Sequence, residues 1–256
     1  MGHTVAYTNG SNRKFLFAPA LLPTLGKVYV AIGSGDRERP LMTNYPYTTP
    51  VQNRFYVYVD DLSVSPSLAI TQSARAGDSL ISNLDSTTTG TDFTNSTSCS
   101  TTGIQPVSTL KSWFMDLKAS SASCPARGEQ TVTSAIILGG VVAFSTNRAC
   151  PTGTDVCAKP LGEARGYLVN LLNASGAIIA GSATCGGDRS SEFVGGGLPP
   201  SPVISTVDVN GVQQTVCIGC ASKDPSKPSV AIQAQPFPPS VNLKRHPIYW
   251  FTSGDK

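Results

Sequence analysis

The sequence predicts an all-β chain, a β-propeller of antiparallel blades, partial or decorated, with long surface insertions. Three observations predict it. A strand–glycine turn–strand unit recurs three times, an aromatic, apolar strand follows each copy, and the 256 residues combine 24 Gly and 19 Pro with only 14% charged side chains. Self-similarity of this kind marks a repeat architecture, and Gly and Pro at this density mark many tight turns. With 40% hydrophobic residues the chain can bury a sizeable core. A β-sandwich is the alternative that the same strands allow.

The first copy runs Phe17-Ala18-Pro19-Ala20-Leu21-Leu22, Gly26, then Val28-Tyr29-Val30-Ala31-Ile32 ending in Gly33-Ser34-Gly35. The second runs Thr133-Ser134-Ala135-Ile136-Ile137-Leu138, a Gly139-Gly140 turn, then Val141-Val142-Ala143-Phe144 ending in Ser145-Thr146-Asn147. The third runs Ser201-Pro202-Val203-Ile204-Ser205, Gly211 after Asp208-Val209-Asn210, then Val212 to Ile218. The strands expected to follow are Asn53 to Asp60, Ala164 to Asn170 and Arg245 to Phe251. A fourth strand from each linking segment would complete a four-stranded blade.

Between these units the chain is irregular. Residues 62–110 are read as a Ser/Thr-rich insertion within one domain spanning 1–256, with too few apolar residues to offset the entropy of ordering it. It serves as a plain surface insertion or as a variable contact loop, and Val64 to Ile70 offers a short strand inside it. Leu110 to Leu117 is a further strand candidate, with Trp113 expected beside a seam between blades. Pro236-Phe237-Pro238-Pro239 reads as an extended, polyproline-like connection. At about 40–45 residues per blade, the length allows at most about five or six blades, and the recognisable units are fewer. Met1-Gly2-His3-Thr4 has neither a basic n-region nor an apolar h-region. The expectation is therefore the C-terminal part of a larger protein.

Charge excludes some partners. The net charge is +3, the Lys and Arg residues are scattered, and Arg37-Glu38-Arg39 alternates in sign as a solvated loop does. Nucleic-acid binding needs clustered basic residues interleaved with aromatics, so nucleic acid is not an expected partner. No apolar stretch reaches the length of a membrane span.

The seven cysteines are Cys99, Cys124, Cys150, Cys157, Cys185, Cys217 and Cys220. Most lie in Ser/Thr/Gly/Pro-rich loops, which points to disulfides and an oxidising compartment. Cys150 with Cys157 would staple one loop, and Cys99 with Cys124 would bracket the Trp113 strand. An extended Cys217-Ile218-Gly219-Cys220 would hold its Cα atoms roughly 10 Å apart, beyond the ~7 Å limit for a bridge. A turn at Gly219, or pairing of one of them with Cys185, resolves that. An odd count leaves one thiol free or paired outside this sequence. The Cys-x-x-Cys spacing does not read as a redox pair, because no helix start follows to lower the thiol pKa. Nor does it read as zinc, which would need a second such pair or more His than His3 and His246.

No catalytic constellation is found, and the chain is not expected to be an enzyme. A hydrolytic triad would have to take its base from His3 or His246, and His246 sits before Pro247 in an aromatic strand. Gly33-Ser34-Gly35-Asp36 lacks the Lys and the helix of a phosphate loop. Asp60-Asp61 and Glu163 show no partner carboxylate across a cleft. Asp208-Val209-Asn210-Gly211 reads as a hairpin turn, since a calcium loop needs a further bidentate carboxylate.

A family resemblance lies in the order of the segments. Gly26-Lys27-Val28-Tyr29-Val30-Ala31-Ile32-Gly33-Ser34-Gly35-Asp36-Arg37-Glu38 is followed by Asn53-Arg54-Phe55-Tyr56 and Ser112-Trp113-Phe114-Met115-Asp116-Leu117. Then come Leu138-Gly139-Gly140, Ser145-Thr146-Asn147, Leu161-Gly162-Glu163-Ala164-Arg165-Gly166-Tyr167, Gly195 to Val203 and Tyr249-Trp250. Together, over nearly the whole chain, they resemble the C-terminal region of PilC/PilY-type pilus proteins.

That resemblance implies a modified β-propeller at the C-terminus of a large secreted protein that promotes type IV pilus assembly, opposes retraction and contributes to adhesion. It implies a location at the pilus tip or outer cell surface, with minor pilins of the tip complex as partners and host or abiotic surfaces second. The family's Asp-rich calcium loop has no counterpart here, so no cofactor is expected of this chain. Two rivals stand beside this reading. One is a quinoprotein-like propeller enzyme, suggested by the tyrosine strand that ends near Asn173-Ala174-Ser175-Gly176. The other is a secreted binding module unrelated to pili.

Overall fold

A computed structural model describes residues 13–40, 51–62, 81–83, 112–117, 128–149, 162–172, 174, 176–178, 189–222 and 228–237. Among them the chain is all-β, with thirteen strands, no helix, and therefore no helix long and apolar enough to cross a membrane. The strands form three sheets.

The first sheet holds β1 (Ala20–Thr24), β2 (Lys27–Gly33), β3 (Arg54–Asp61), β4 (Ile81–Asn83) and β5 (Ser112–Asp116), in the order β1-β2-β3-β5-β4. The second holds β6 (Gln130–Thr131), β7 (Ile136–Leu138), β8 (Val141–Arg148), β9 (Glu163–Asn170) and β10 (Ser190–Glu192), where β6 and β7 both pair with β8. The third holds β11 (Val203–Val209), β12 (Val212–Ile218) and β13 (Ala234–Pro236) in that order.

Each sheet contains the repeated hairpin. β1 and β2 turn at Gly26, β7 and β8 at Gly139-Gly140, and β11 and β12 at Asn210-Gly211. Gly139, Gly140, Asn210 and Gly211 all have positive φ, the conformation of the two-residue turn that matches strand twist. The aromatic strands follow as expected in the first two sheets, where β3 pairs with β2 and β9 with β8. The Trp113 segment becomes β5 and pairs with β3.

Three expectations change. The third sheet takes β13 as a strand, so Pro236, the first residue of the expected polyproline-like connection, ends a strand; Pro238, Pro239 and Arg245 to Phe251 lie outside the described residues. The 62–110 insertion contributes β4, which pairs with β5 in parallel, so the pairing is antiparallel elsewhere between strands but not here. Arg37 is only half-buried rather than solvated: its guanidinium donates to the Val132 carbonyl at 3.0 Å and lies over the Phe17 ring.

The middle sheet packs against both of the others. Alternate residues of a strand face opposite sides, and in β8 Val142 and Phe144 face the first sheet while Val141 and Ala143 face the third. The first seam contains Ala31, Phe55, Val57, Trp113 and Met115 from one side and Val142, Phe144, Tyr167 and Val169 from the other. Phe144 lies between the Phe55 ring at 3.7 Å and the Tyr167 ring at 4.6 Å, and both pairs are stacked. The second seam joins Val141, Ala143 and Leu168 to Cys217, Cys220, Ala221 and Phe237. The middle sheet is covered on both sides, so β8 is buried along its whole length. Each large side chain buried there contributes about 1.5–3 kcal/mol.

Candidate functional site

Where β2 ends at Gly33-Ser34-Gly35, β6 comes alongside. The Thr131 N–H donates to the Ser34 carbonyl at 3.0 Å, and the Asp36 N–H donates to Gln130 Oε1 at 2.9 Å. Ser34 Oγ donates to Asn53 Oδ1 at 3.1 Å, and Asn53 Nδ2 donates to the Glu129 carbonyl at 3.0 Å. The approach is closer than any side chain allows: a Cβ on Gly35 would stand 2.3 Å from the Thr131 carbonyl oxygen. The stretch that superficially resembles a phosphate loop is therefore a seam. Its Asp36 carboxylate pairs with Lys14 at 2.7 Å.

Glu129 is the most deeply placed carboxylate of this belt, 2% exposed. Its Oε1 accepts from Tyr167 Oη at 2.8 Å and from Thr146 Oγ1. Buried charge is tolerated only where hydrogen bonds replace water, and hydroxyls from β8 and β9 supply them. Nearby, Arg148 and Glu163 stand opposite each other across β8 and β9 and form an ion pair. Arg54 pairs with Asp116 and lies over the Phe114 ring at 4.2 Å.

The belt continues to the third sheet. Asn147 Nδ2 donates to the Gly197 carbonyl at 2.7 Å, and Ser145 Oγ donates to the Gly219 carbonyl at 3.3 Å. Gly166 meets Phe193 and Ala221 so closely that a Cβ would lie 2.7 Å from the Phe193 ring and 2.8 Å from the Ala221 nitrogen. Gly219, with φ of +85°, turns the chain so that Cys217 and Cys220 form a disulfide with Cα atoms 5.6 Å apart. Both cysteines are buried in the second seam. Cys99, Cys124, Cys150, Cys157 and Cys185 lie outside the described residues, as do His3 and His246.

Other candidate groups are occupied by the fold. Asp208 Oδ1 accepts from the Gly211 N–H at 2.7 Å and so closes the hairpin turn. Trp113 Nε1 donates to the Leu171 carbonyl at 2.8 Å, which places Trp113 in the first seam. Tyr56 is pushed up from its ordinary pKa by burial, with the nearby charges of Arg13 and Arg54 opposing the shift in part. Among the described residues no three His, Cys, Asp or Glu side chains are grouped as metal ligands would be. Sequence reasoning missed Glu129, Gln130 and Thr131, because nothing in a short polar run next to Gly128 distinguishes a buried belt from a solvated loop.

Chemically, this arrangement holds sheets together. Its polar atoms face one another across buried seams, and the segments Gly33 to Asp36, Asn53-Arg54, Ser145 to Asn147, Gly162 to Tyr167 and Gly195 to Gly197 all belong to it.

Compared with protein-family models and with curated proteins, the chain matches none. Among solved structures, the crystal structure of the Pseudomonas aeruginosa PilY1 C-terminal domain is similar over 84% of this chain, at 14% identity and a TM-score of 0.49. The chain spans 45% of the length of that domain.

Proposed function

We propose that this chain is a non-enzymatic binding scaffold of a secreted, type IV pilus-associated protein, with its three sheets as successive blades of a propeller. Minor pilins of the pilus tip are its partners, and it promotes pilus assembly or opposes retraction and contributes to surface adhesion. One observation carries the reading: several of the ordered segments that resemble PilC/PilY-type proteins lie at the seams between sheets. Gly33 to Asp36, Asn53-Arg54, Ser145 to Asn147 and Gly162 to Tyr167 each supply a close approach or a hydrogen bond between sheets.

Function on a rigid scaffold lives in its loops, and the seam residues are too buried to meet a substrate. The buried Cys217–Cys220 disulfide supports an oxidising, extracytoplasmic setting. The test is genetic. Deleting the coding region in the source organism should reduce surface piliation, and the full-length reading frame should restore it. Unchanged piliation and surface attachment in the deletion strain would refute the pilus reading.

A further inference from the structure

Asparagine followed by glycine is the dipeptide at which a chain modifies itself most readily, because glycine has no Cβ to obstruct its nitrogen. At Asn210-Gly211 the Gly211 nitrogen, once it has lost its proton to hydroxide, would bond to Cγ of Asn210. The Cγ–Nδ2 bond then breaks and releases ammonia. Water opens the resulting five-membered imide. Cleavage at Cγ leaves aspartate, and cleavage at the main-chain carbonyl leaves isoaspartate, whose Cβ has become part of the main chain. The place makes this change consequential. Asn210-Gly211 is the whole two-residue turn between β11 and β12, so one more main-chain atom breaks the register that sets Val209 opposite Val212. A negative charge is also gained close to Asp208.

The hairpin presents this pair to solvent and opposes the reaction at once. Asp208, Asn210 and Gly211 are exposed, and nothing lies within 4 Å of the Cβ position of Gly211. Water and hydroxide therefore reach the pair. Two features stand against ring closure. The Gly211 N–H, whose nitrogen is the nucleophile, donates to Asp208 Oδ1 at 2.7 Å. Removing that proton breaks a charge-assisted hydrogen bond and sets a second negative charge against the carboxylate. Asn210 and Gly211 also have φ of 55° and 79°, as this turn requires. The imide cannot form until the Asn210 backbone leaves that left-handed conformation.

We propose that Asn210 is a self-deamidation site whose rate is set by Asp208, a positioning residue that withholds the Gly211 nitrogen. The site reacts slowly while the hairpin is closed and quickly whenever the Asp208 bond and the turn open. Conversion is irreversible, so it accumulates with the time that the tip of this hairpin has spent open.

Peptide mapping of the full chain by mass spectrometry tests this, at one fixed temperature and pH, through the mass gained when the amide becomes a carboxyl. Digestion separates Asn210 from the chain's other Asn-Gly pair, Asn9-Gly10. The folded wild type should convert at Asn210 at least about tenfold more slowly than the same chain in guanidinium chloride, the factor that a hydrogen bond to a charged group carries. Asp208→Ala, with the far-UV circular dichroism of the parent, should convert at least about threefold faster than the folded wild type. Asp208→Asn keeps an acceptor oxygen without the charge and should fall between the two. Equal rates in the folded and unfolded wild type overturn the proposal. So does a wild-type rate in Asp208→Ala, since the turn alone would then protect the site. If Asp208→Ala loses its fold, Asp208→Asn decides: a rate no faster than the wild type's overturns the role of Asp208.

Discussion

Replacing Gly35 with alanine probes the first seam where it is tightest. The new Cβ would stand 2.3 Å from the Thr131 carbonyl oxygen and 2.7 Å from the Thr131 nitrogen, both backbone atoms that cannot rotate away. Either β6 or the end of β2 must therefore move by about 1 Å to reach ordinary contact distance. Overpacking of this kind costs about 1–3 kcal/mol. The same movement stretches the Thr131 N–H bond to Ser34 and the Asp36 N–H bond to Gln130, each worth about 0.5–1.5 kcal/mol. The expected loss is about 2–6 kcal/mol, read as a fall of roughly 1–2 M in the urea midpoint. Gly26→Ala is the control: Gly26 has φ of +76° and nothing within 4 Å of its Cβ position, so it loses only the about 1–2 kcal/mol of left-handed backbone. If Gly35→Ala costs no more than Gly26→Ala, the close approach of the two sheets does not exist in solution.

Other perturbations read other parts of the structure. Glu129→Ala removes the acceptor used by Thr146 and Tyr167 and should cost about 2–4 kcal/mol in thermal or urea unfolding, while Glu129→Gln, which keeps an acceptor, should cost less than half as much. Replacing both Cys217 and Cys220 with serine should lower stability by about 2 kcal/mol, since the loop their disulfide closes is short; no change in the urea midpoint would place the bridge outside the cooperative fold. Burial raises the Tyr56 pKa above 10.0, so its contribution is complete below pH 10.0 and is lost as pH rises from there through the folded-state value. Tyr56→Phe should flatten the alkaline fall in the urea midpoint, and identical pH profiles for the two proteins would contradict the assignment.

Much of the fold was legible in the sequence because its signals are local. Asn210-Gly211 and Gly139-Gly140 sit where only a positive φ closes a two-residue turn, and alternating apolar residues on either side identify the strands. The seams were not legible. Ser34, Asn53, Glu129 and Thr146 look like surface residues until a second sheet meets them, because their burial depends on partners distant in the chain. The third sheet was legible in part: Ala234–Pro236 has weak strand composition, yet β13 has the place beside β12, and Arg245 to Phe251 lies outside the described residues. The disulfide was left open between two geometries because one φ angle, that of Gly219, decides it.

Direct binding tests the functional account most closely. Purified chain, shown to be folded, should bind a purified complex of minor pilins from the same organism saturably, with a dissociation constant in the range of about 1 μM or tighter. Absence of binding up to about 100 μM, with the fold intact, would contradict the claim that this stack of sheets is a pilus-tip scaffold.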